Sequence, residues 1–263
     1  MKKYLVIGDP IKHSLSPLLH NYWIKKNKLE AEYDKRKINN NEFKNLIDKI
    51  KKKEISGINV TVPFKKEIIP FLEKLSPEAE RTQSVNTIYL DKNIVVGHNT
   101  DIMGFELAIK DTEYDVAGKD ILILGAGGVV PSIIYALYKM KASRITISNR
   151  TLSKAENLKN LFKNLNIINW GQLPNFDMII NGTSIGLENK DKINLDFSTL
   201  NKNKFFFDVI YNPKETNFLK VAKNLGNDTA NGKRMFIHQA AEAFKIWHDV
   251  DPDINDEVSK LLD

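Results

Sequence analysis

Apolar residues fall in short runs along the chain, and the runs alternate between two periodicities. Lys3 to Ile7 is a continuous run ending at Gly8-Asp9-Pro10, which predicts a buried strand. Ser16 to Asn27 predicts a helix, with Ser16 at the cap and Pro17 at the first helical position. Glu32 to Ile38 predicts a strand. Asn41 to Lys52 sets Phe43, Leu46, Ile47 and Ile50 at helical spacing. Ile58 to Val62 predicts a strand stopped by Pro63. Thr87 to Leu90 and Ile94 to Val96 flank Asp91-Lys92-Asn93 as the arms of a hairpin.

A second unit begins near residue 101. Asp101 is placed to cap a helix running through Lys110. Strands are predicted at Asp120–Leu124, Arg144–Ser148, Phe176–Ile180 and Phe205–Ile210, and helices at Val129–Met140 and Ser153–Asn164. This alternation predicts a parallel sheet with helices on both faces. After Gly232 a long amphipathic helix runs to about His248, and a short one follows from Asp253. A terminal helix with no strand after it can pack on either unit. No internal repeat is present.

The 263 residues suit one large or two small domains. A hydrophobic share of 42% with 27% charged residues excludes disorder. No apolar run approaches the roughly 20 residues of a membrane-spanning helix, and the apolar start is too short for a signal segment. Cysteine is absent, which excludes disulfides, thiolate metal sites and a cysteine nucleophile. The five histidines form no metal set; His13 is expected to order its loop and the others to be structural. Trp23, Phe105, Phe244 and Trp247 are expected in packing. A soluble, cytoplasmic protein is expected.

The net charge of +6 comes from 39 basic and 33 acidic residues, but only five of the basic ones are arginine. The lysines are spread along the chain, and their densest run, Lys51-Lys52-Lys53, suits a helix C-terminus. Nucleic-acid binding is therefore not expected. A mild positive field favours small anions instead.

Gly125-Ala126-Gly127-Gly128 lies between a predicted strand and a predicted helix, where a dinucleotide-binding unit needs glycines for the tight turn and the approach of the pyrophosphate. Val130 stands at the usual third-glycine position, so the match is partial. An NAD site commonly places a carboxylate about 20 residues on. Here the second strand ends in Asn149-Arg150-Thr151, followed by Lys154, with no carboxylate. An arginine fork with a nearby lysine and hydroxyl suits a 2′-phosphate, which predicts NADP over NAD.

The first unit carries polar residues where apolar ones would make better structure. Ser14 and Ser16 follow the first strand, where ligands of open α/β sheets collect; Ser16 is equally placed to cap the helix. In Gly57-Ile58-Asn59-Val60-Thr61-Val62-Pro63-Phe64-Lys65, Asn59 and Thr61 share a face opposite Ile58, Val60 and Val62. Asn86 and Gly97-His98-Asn99-Thr100-Asp101 add amides and a carboxylate near strand ends. Such hydroxyls and amides match a small polyhydroxylated carboxylate, with Asn59 and Thr61 among the binding groups. Lys65 and Asp101 make an acid/base pair suited to an alkoxide formed by hydride transfer.

At these residues the chain resembles the shikimate dehydrogenase family over essentially its whole length. The resemblance is carried by Gly8 to Pro17, Asn59 to Lys65, Ser84-Val85-Asn86-Thr87, Asn99-Thr100-Asp101, the glycine loop, Asn149-Arg150-Thr151 and Gln239-Ala240-Ala241. It implies a two-domain α/β fold. Residues 1–101 and 236–263 would form a substrate-binding and catalytic domain. Residues 102–235 would form a Rossmann domain with a doubly wound parallel sheet, the C-terminal helix packing back on the first domain. It implies NADPH-dependent, reversible reduction of 3-dehydroshikimate to shikimate. By the same resemblance Ser14, Ser16, Thr61, Asn86, Asp101, Tyr211 and Gln239 would hold substrate, and Lys65 would be the main catalytic group beside Asp101. Gly125, Ala126, Gly127, Gly128, Val129, Asn149, Arg150, Thr151 and Lys154 would hold NADP, with Ile210 and Gly232 near the nicotinamide. No metal is implied, and the chain would be a monomer or a homodimer.

Two positions depart from the family pattern. Ile102 replaces a frequent glycine beside Asp101, and Lys233-Arg234 puts two charges after Gly232. An NAD-preferring quinate/shikimate dehydrogenase is the nearest alternative. A non-catalytic ligand-sensing relative is a second, against which both Lys65 and Asp101 stand.

Overall fold

The computed structural model describes residues 1–188, 190–198, 200 and 202–263. The chain divides into two compact units, residues 1–104 with 237–263 and residues 105–236.

The first unit opens with β1 (Lys2–Gly8), α1 (Ser16–Lys26), β2 (Ala31–Lys37), α2 (Phe43–Lys51) and β3 (Gly57–Val60). It continues with β4 (Lys74–Leu75), α3 (Pro77–Thr82), β5 (Thr87–Asp91) and β6 (Ile94–His98). The sheet order is β2-β1-β3-β5-β6-β4, parallel from β2 to β3 and antiparallel at β3–β5 and β5–β6. The reversal between β5 and β6 is made by Lys92 and Asn93, both at positive φ (45° and 69°), as a tight hairpin turn requires. On α2, Phe43, Leu46, Ile47 and Ile50 pack against Ile7, Ile58, Val60, Ile88 and Val95, as their helical spacing predicts. The edge strand β2 is charged at Asp34, Lys35, Arg36 and Lys37 and buries only Tyr33, a composition that discourages pairing with another chain.

From α4 (Asp101–Lys110) the chain passes into the second unit. This holds β7 (Asp120–Leu124), α5 (Val130–Lys139), β8 (Arg144–Asn149), α6 (Leu152–Leu158) and β9 (Leu165–Asn169). It then adds β10 (Met178–Asn181), β11 (Phe205–Asp208), α7 (Asn217–Asn224) and β12 (Asp228–Asn231). Its sheet is parallel throughout, in the order β12-β11-β10-β7-β8-β9. That is the doubly wound Rossmann order, which reverses direction between β7 and β10. The inner strands β10 and β11 are buried at every residue and read as apolar runs. The expected helix over Ser153–Asn164 stops at Leu158, and the chain turns into β9 instead. Strands β9 and β12 lie at the two edges, where polar residues such as Asn166 and Asp228 face outward, so neither shows an apolar run. Their strand state comes from pairing with β8 and β11.

The chain returns to the first unit in α8 (Lys233–His248) and α9 (Asp256–Leu261). Trp247 Nε1 donates to the Ile88 carbonyl (3.1 Å), and Trp23 Nε1 donates to the Asp253 carbonyl (2.9 Å). These bonds tie the C-terminal segment to β5 and α1. Among the described residues no helix is long and apolar enough to cross a membrane. His13, expected to order its loop, is exposed.

His20 is 1% exposed and stacks on Tyr33 with ring centroids 4.2 Å apart. Burial, together with the nearby His248, pulls its pKa down to about 3, and burial beside Lys2 pulls His248 down to about 4. Both bases are neutral in the folded chain and take up protons below about pH 6.5 once unfolded. Their contribution to stability is therefore complete above pH 6.5 and is lost as the pH falls. Each neutral histidine predicts a loss of about 1.4 kcal/mol per pH unit below that point. Urea titrations between pH 7 and pH 4.5 should show this slope, and His20→Phe should remove one proton's share of it.

Candidate functional site

Polar residues singled out in the first unit form two hydrogen-bonded groups, Ser14 with Ser16, and Asn59, Lys65, Asn86, Asn99, Thr100, Asp101 and Gln239. Helix α1 begins at Ser16 itself, and Leu15 occupies the cap position with no side-chain cap bond. Ser16 therefore does not cap α1. Ser14 Oγ accepts from the Ser16 backbone N–H (3.3 Å) and donates to Ser16 Oγ (3.3 Å).

Strand β3 ends at Val60, not Val62, so Asn59 and Thr61 do not form the expected open stripe. The strand is central and covered on both faces. Asn59 is buried. Its Oδ1 accepts from Tyr33 Oη (2.6 Å), and its Nδ2 donates to the Asn86 carbonyl (3.0 Å) and Thr87 Oγ1 (3.1 Å). It braces its neighbours from inside the sheet and offers no open contact of its own. Thr61, half-buried, starts the turn after β3: its N–H donates to the Ile7 carbonyl (2.9 Å), and its carbonyl accepts from Phe64 N–H (2.9 Å).

That turn delivers Lys65, whose carbonyl accepts from Val85 N–H (2.8 Å). Lys65 Nζ donates to Asp101 Oδ2 at 2.5 Å, and the two side chains are only 10% and 7% exposed. Asn86 organises the other side of the pair. Its Nδ2 donates to Asp101 Oδ1 (2.9 Å), Thr100 Oγ1 (2.9 Å) and Gln239 Oε1 (3.4 Å), while its Oδ1 accepts from Thr100 N–H (2.8 Å). The Asp101 N–H donates to Asn99 Oδ1 (3.0 Å). Asp101 thus sits in the first turn of α4, where the helix dipole favours negative charge. Desolvating two charges costs more than most ion pairs return, so this pair is better suited to chemistry than to stability. It can present a donatable proton while holding its charge in one geometry. Ile102, the departure beside it, is buried in the core.

In the second unit the glycine loop lies at the reversal point of the sheet. Gly125 takes φ +105°, and its N–H donates to the Ser148 carbonyl (2.8 Å). Gly127 and Gly128 are exposed at the start of α5, Ala126 and Val129 half-buried. Val130 fits the third-glycine position because the strand end facing it is Gly182: a methyl group on Gly182 would lie 2.9 Å from Val130 Cγ2. The close helix–strand approach is kept, with the small residue moved to the neighbouring strand.

At the end of β8, Asn149 Nδ2 donates to the Thr151 carbonyl (2.7 Å), and Arg150, Thr151 and Lys154 are exposed. Thr151 caps α6 without using its hydroxyl as a cap acceptor. Glu156, the next carboxylate, is paired with Lys159 (3.0 Å). Exposed backbone amides at a helix N-terminus, with cationic groups and no carboxylate at the second strand, fit a dinucleotide carrying an extra phosphate.

Sequence reading passed over the carboxylate that ends β11. Asp208 is fully buried, and burial pushes its pKa up to about 6 against three donors. Those donors are Asn181 Nδ2 (3.0 Å), Ile210 N–H (3.0 Å) and Thr216 Oγ1 (2.6 Å). The available signal was a lone acid closing Phe205-Phe206-Phe207. Asp208 fixes the loop carrying Ile210 and Tyr211. Gly232 N–H donates to the Ile210 carbonyl (3.1 Å), and Tyr211 stacks on Phe236 at 4.6 Å. Tyr211 therefore belongs to the second unit, with Ile210 and Gly232. Of the two added charges, Arg234 is committed to Asp111, Nε to Oδ2 at 2.5 Å.

Three family models match the chain. Residues 6–88 match the shikimate dehydrogenase substrate binding domain, residues 106–218 the shikimate/quinate 5-dehydrogenase model and residues 232–256 the shikimate 5′-dehydrogenase C-terminal domain. The chain is 57% identical over 262 residues to a shikimate dehydrogenase (NADP(+)) of Pelagibacter ubique, covering 100% of this chain and 99% of that one. The crystal structure of shikimate dehydrogenase from Aquifex aeolicus is 38% identical, with a TM-score of 0.91 over 100% of this chain and 97% of that one. A shikimate dehydrogenase in complex with NADP+ is 34% identical, with a TM-score of 0.93 over 100% and 94%.

The exchange between Val130 and Gly182 is testable without reference to activity. Gly182→Ala overpacks the contact and should cost about 1–3 kcal/mol in urea unfolding. Adding Val130→Ala should restore most of that loss.

Proposed function

The chain belongs to the shikimate dehydrogenase family, and from that premise we propose that Lys65 is the proton donor of its reaction and Asp101 the group that orients it. The protein is an NADP-dependent oxidoreductase that interconverts 3-dehydroshikimate and shikimate in aromatic amino-acid biosynthesis. The observation that carries the assignment of Lys65 and Asp101 is their buried ion pair, braced by Asn86 in a unit that matches the substrate-binding model.

Reduction of the ring ketone adds a hydride to carbon and a proton to oxygen. Gly125 to Val129 with Asn149, Arg150, Thr151 and Lys154 would hold NADPH, which would supply the hydride. The Lys65 ammonium meets the oxygen as negative charge develops, stabilises it and gives up a proton, leaving a neutral amine and the alcohol. Asp101 keeps the ammonium aimed and accepts from a substrate hydroxyl. Ser14, Ser16, Thr61, Asn86 and Gln239 bind the remaining polar groups, and Tyr211 contributes from the loop fixed by Asp208. Asn59 acts behind this layer as a brace. On this reading residues 1–101 with 236–263 form the substrate domain and residues 102–235 the cofactor domain. Arg150 and Lys154 take the 2′-phosphate, which favours NADPH over the NAD of a quinate-directed relative. A soluble enzyme of the cytoplasm, where NADPH is kept reduced, fits this chemistry.

Lys65→Ala should lower kcat for shikimate oxidation by about 10²–10⁴ while circular dichroism stays unchanged. A kcat within threefold of the parent would overturn the assignment. The ratio of kcat/KM for NADPH over NADH should lie well above one. Arg150→Ala should lower that ratio by about tenfold or more through KM for NADPH, with KM for NADH little changed.

A further inference from the structure

We propose that Asn181 and Asp208, the residues that end β10 and β11, act as a pair of positioning residues for the nicotinamide half of the cofactor. The inference rests on the assignment of NADP to the glycine loop with Arg150 and Lys154.

The two residues lie side by side in the parallel register of β10 and β11, and both are fully buried. Each closes the loop that follows its own strand. Asn181 Oδ1 accepts from the Thr183 N–H (3.1 Å) and the Thr183 hydroxyl (2.7 Å), and its Nδ2 donates to the Ile185 carbonyl (3.0 Å). Asp208 Oδ1 accepts from the Ile210 N–H (3.0 Å), and its Oδ2 accepts from Thr216 Oγ1 (2.6 Å). That Thr216 oxygen in turn accepts from the Leu219 N–H (3.4 Å) as the cap of α7. Asn181 Nδ2 also donates to Asp208 Oδ1 (3.0 Å), which joins the two clamps into one. Both groups facing Nδ2 are acceptors and both facing Oδ1 are donors, so the Asn181 amide has a single orientation. The loops themselves touch. A methyl group on Gly186 would lie 3.3 Å from Ile210 Cδ1, and one on Gly125 would lie 2.9 Å from Thr183 Cγ2. Contact therefore runs from the glycine loop through residues 182–186 to residues 210–216.

The order of the sheet says which half of the cofactor these loops serve. Strand β7, which leads into the glycine loop, lies between β8 and β10. A pyrophosphate held at that loop sends the two halves of a dinucleotide to opposite sides of the reversal point. Arg150 and Lys154 follow β8 and are assigned the 2′-phosphate of the adenosine half. The nicotinamide half is thereby left to the loops after β10 and β11. A buried carboxylate held by three neutral donors is a costly end to a core strand if stability alone is served. Here it gives two loops one shape. Its loss should loosen the nicotinamide side of the site and leave the adenosine side as it is.

The test is Asp208→Ala in the full chain, titrated calorimetrically with NADP+ and with adenosine 2′,5′-bisphosphate, which lacks the nicotinamide half. NADP+ should bind at least fivefold more weakly and the bisphosphate within about twofold of the parent, while kcat for shikimate oxidation falls at least tenfold. Asp208→Asn keeps an acceptor for Asn181 and Ile210 and should recover most of the NADP+ affinity. If Asp208→Ala folds poorly, Thr216→Val removes one donor at constant shape and should separate the two ligands in the same direction. Equal weakening of both ligands, the mark of a merely structural role, or unchanged binding of both overturns the role of the pair. Arg150→Ala keeps the underlying assignment distinct, since it should weaken the bisphosphate. If it does not, the cofactor assignment falls. If it does while Asp208→Ala binds both ligands as the parent does, only the role of Asn181 and Asp208 falls.

Discussion

A lysine ammonium taken almost wholly out of water must be matched, and the first unit is arranged around that requirement. Asp101 supplies the charge, Asn86 holds the carboxylate from its other oxygen, and Asn99 and Thr100 set where α4 begins. Breaking one partner would strand a buried charge, a far larger cost than a surface pair would incur. The bracing therefore extends through Thr87 and Asn59 to the edge strand, where a core built for stability alone would carry leucine or valine.

The second unit meets a different constraint. A dinucleotide needs backbone amides at a helix start and a close approach of helix to sheet. The chain satisfies the approach with Gly182 in place of a glycine at 130. Two strands along the same carboxyl edge of the sheet a buried carboxylate, Asp208, gathers three donors and so fixes the loop of Ile210 and Tyr211. In both units, polar groups at the ends of central strands do the positioning, and apolar residues of the same strands make the core.

Much of this was legible in the residue pattern. The α2 face, the β5–β6 hairpin, the inner strands of the second sheet and the glycine loop all follow from short-range periodicity or turn chemistry. The edge strands β9 and β12 and the two-residue β4 did not. Their residues lack an apolar run and become strands by pairing with a neighbour that lies far off in sequence. Lys65 and Asp101 were visible as chemistry-bearing residues out of place. Tyr33 and Asp208 were not, because a tyrosine or an acid at a strand position is unremarked until its partners are known.

The amino-acid order alone determined the alternation of elements, the turn at the glycine loop, the missing carboxylate after Ser148 and the roster of polar residues available to a site. These properties depend on neighbours within a few positions, where backbone geometry and side-chain periodicity act directly. Tertiary structure decided which polar residues meet open space and which serve as braces. It placed Asn59 inside the sheet, set Ser16 within α1 and not at its cap, and set Tyr211 with the second unit. The reason is that a hydrogen bond between residues 36 or 153 positions apart is specified by the packing of whole strands and helices, and no local pattern encodes it.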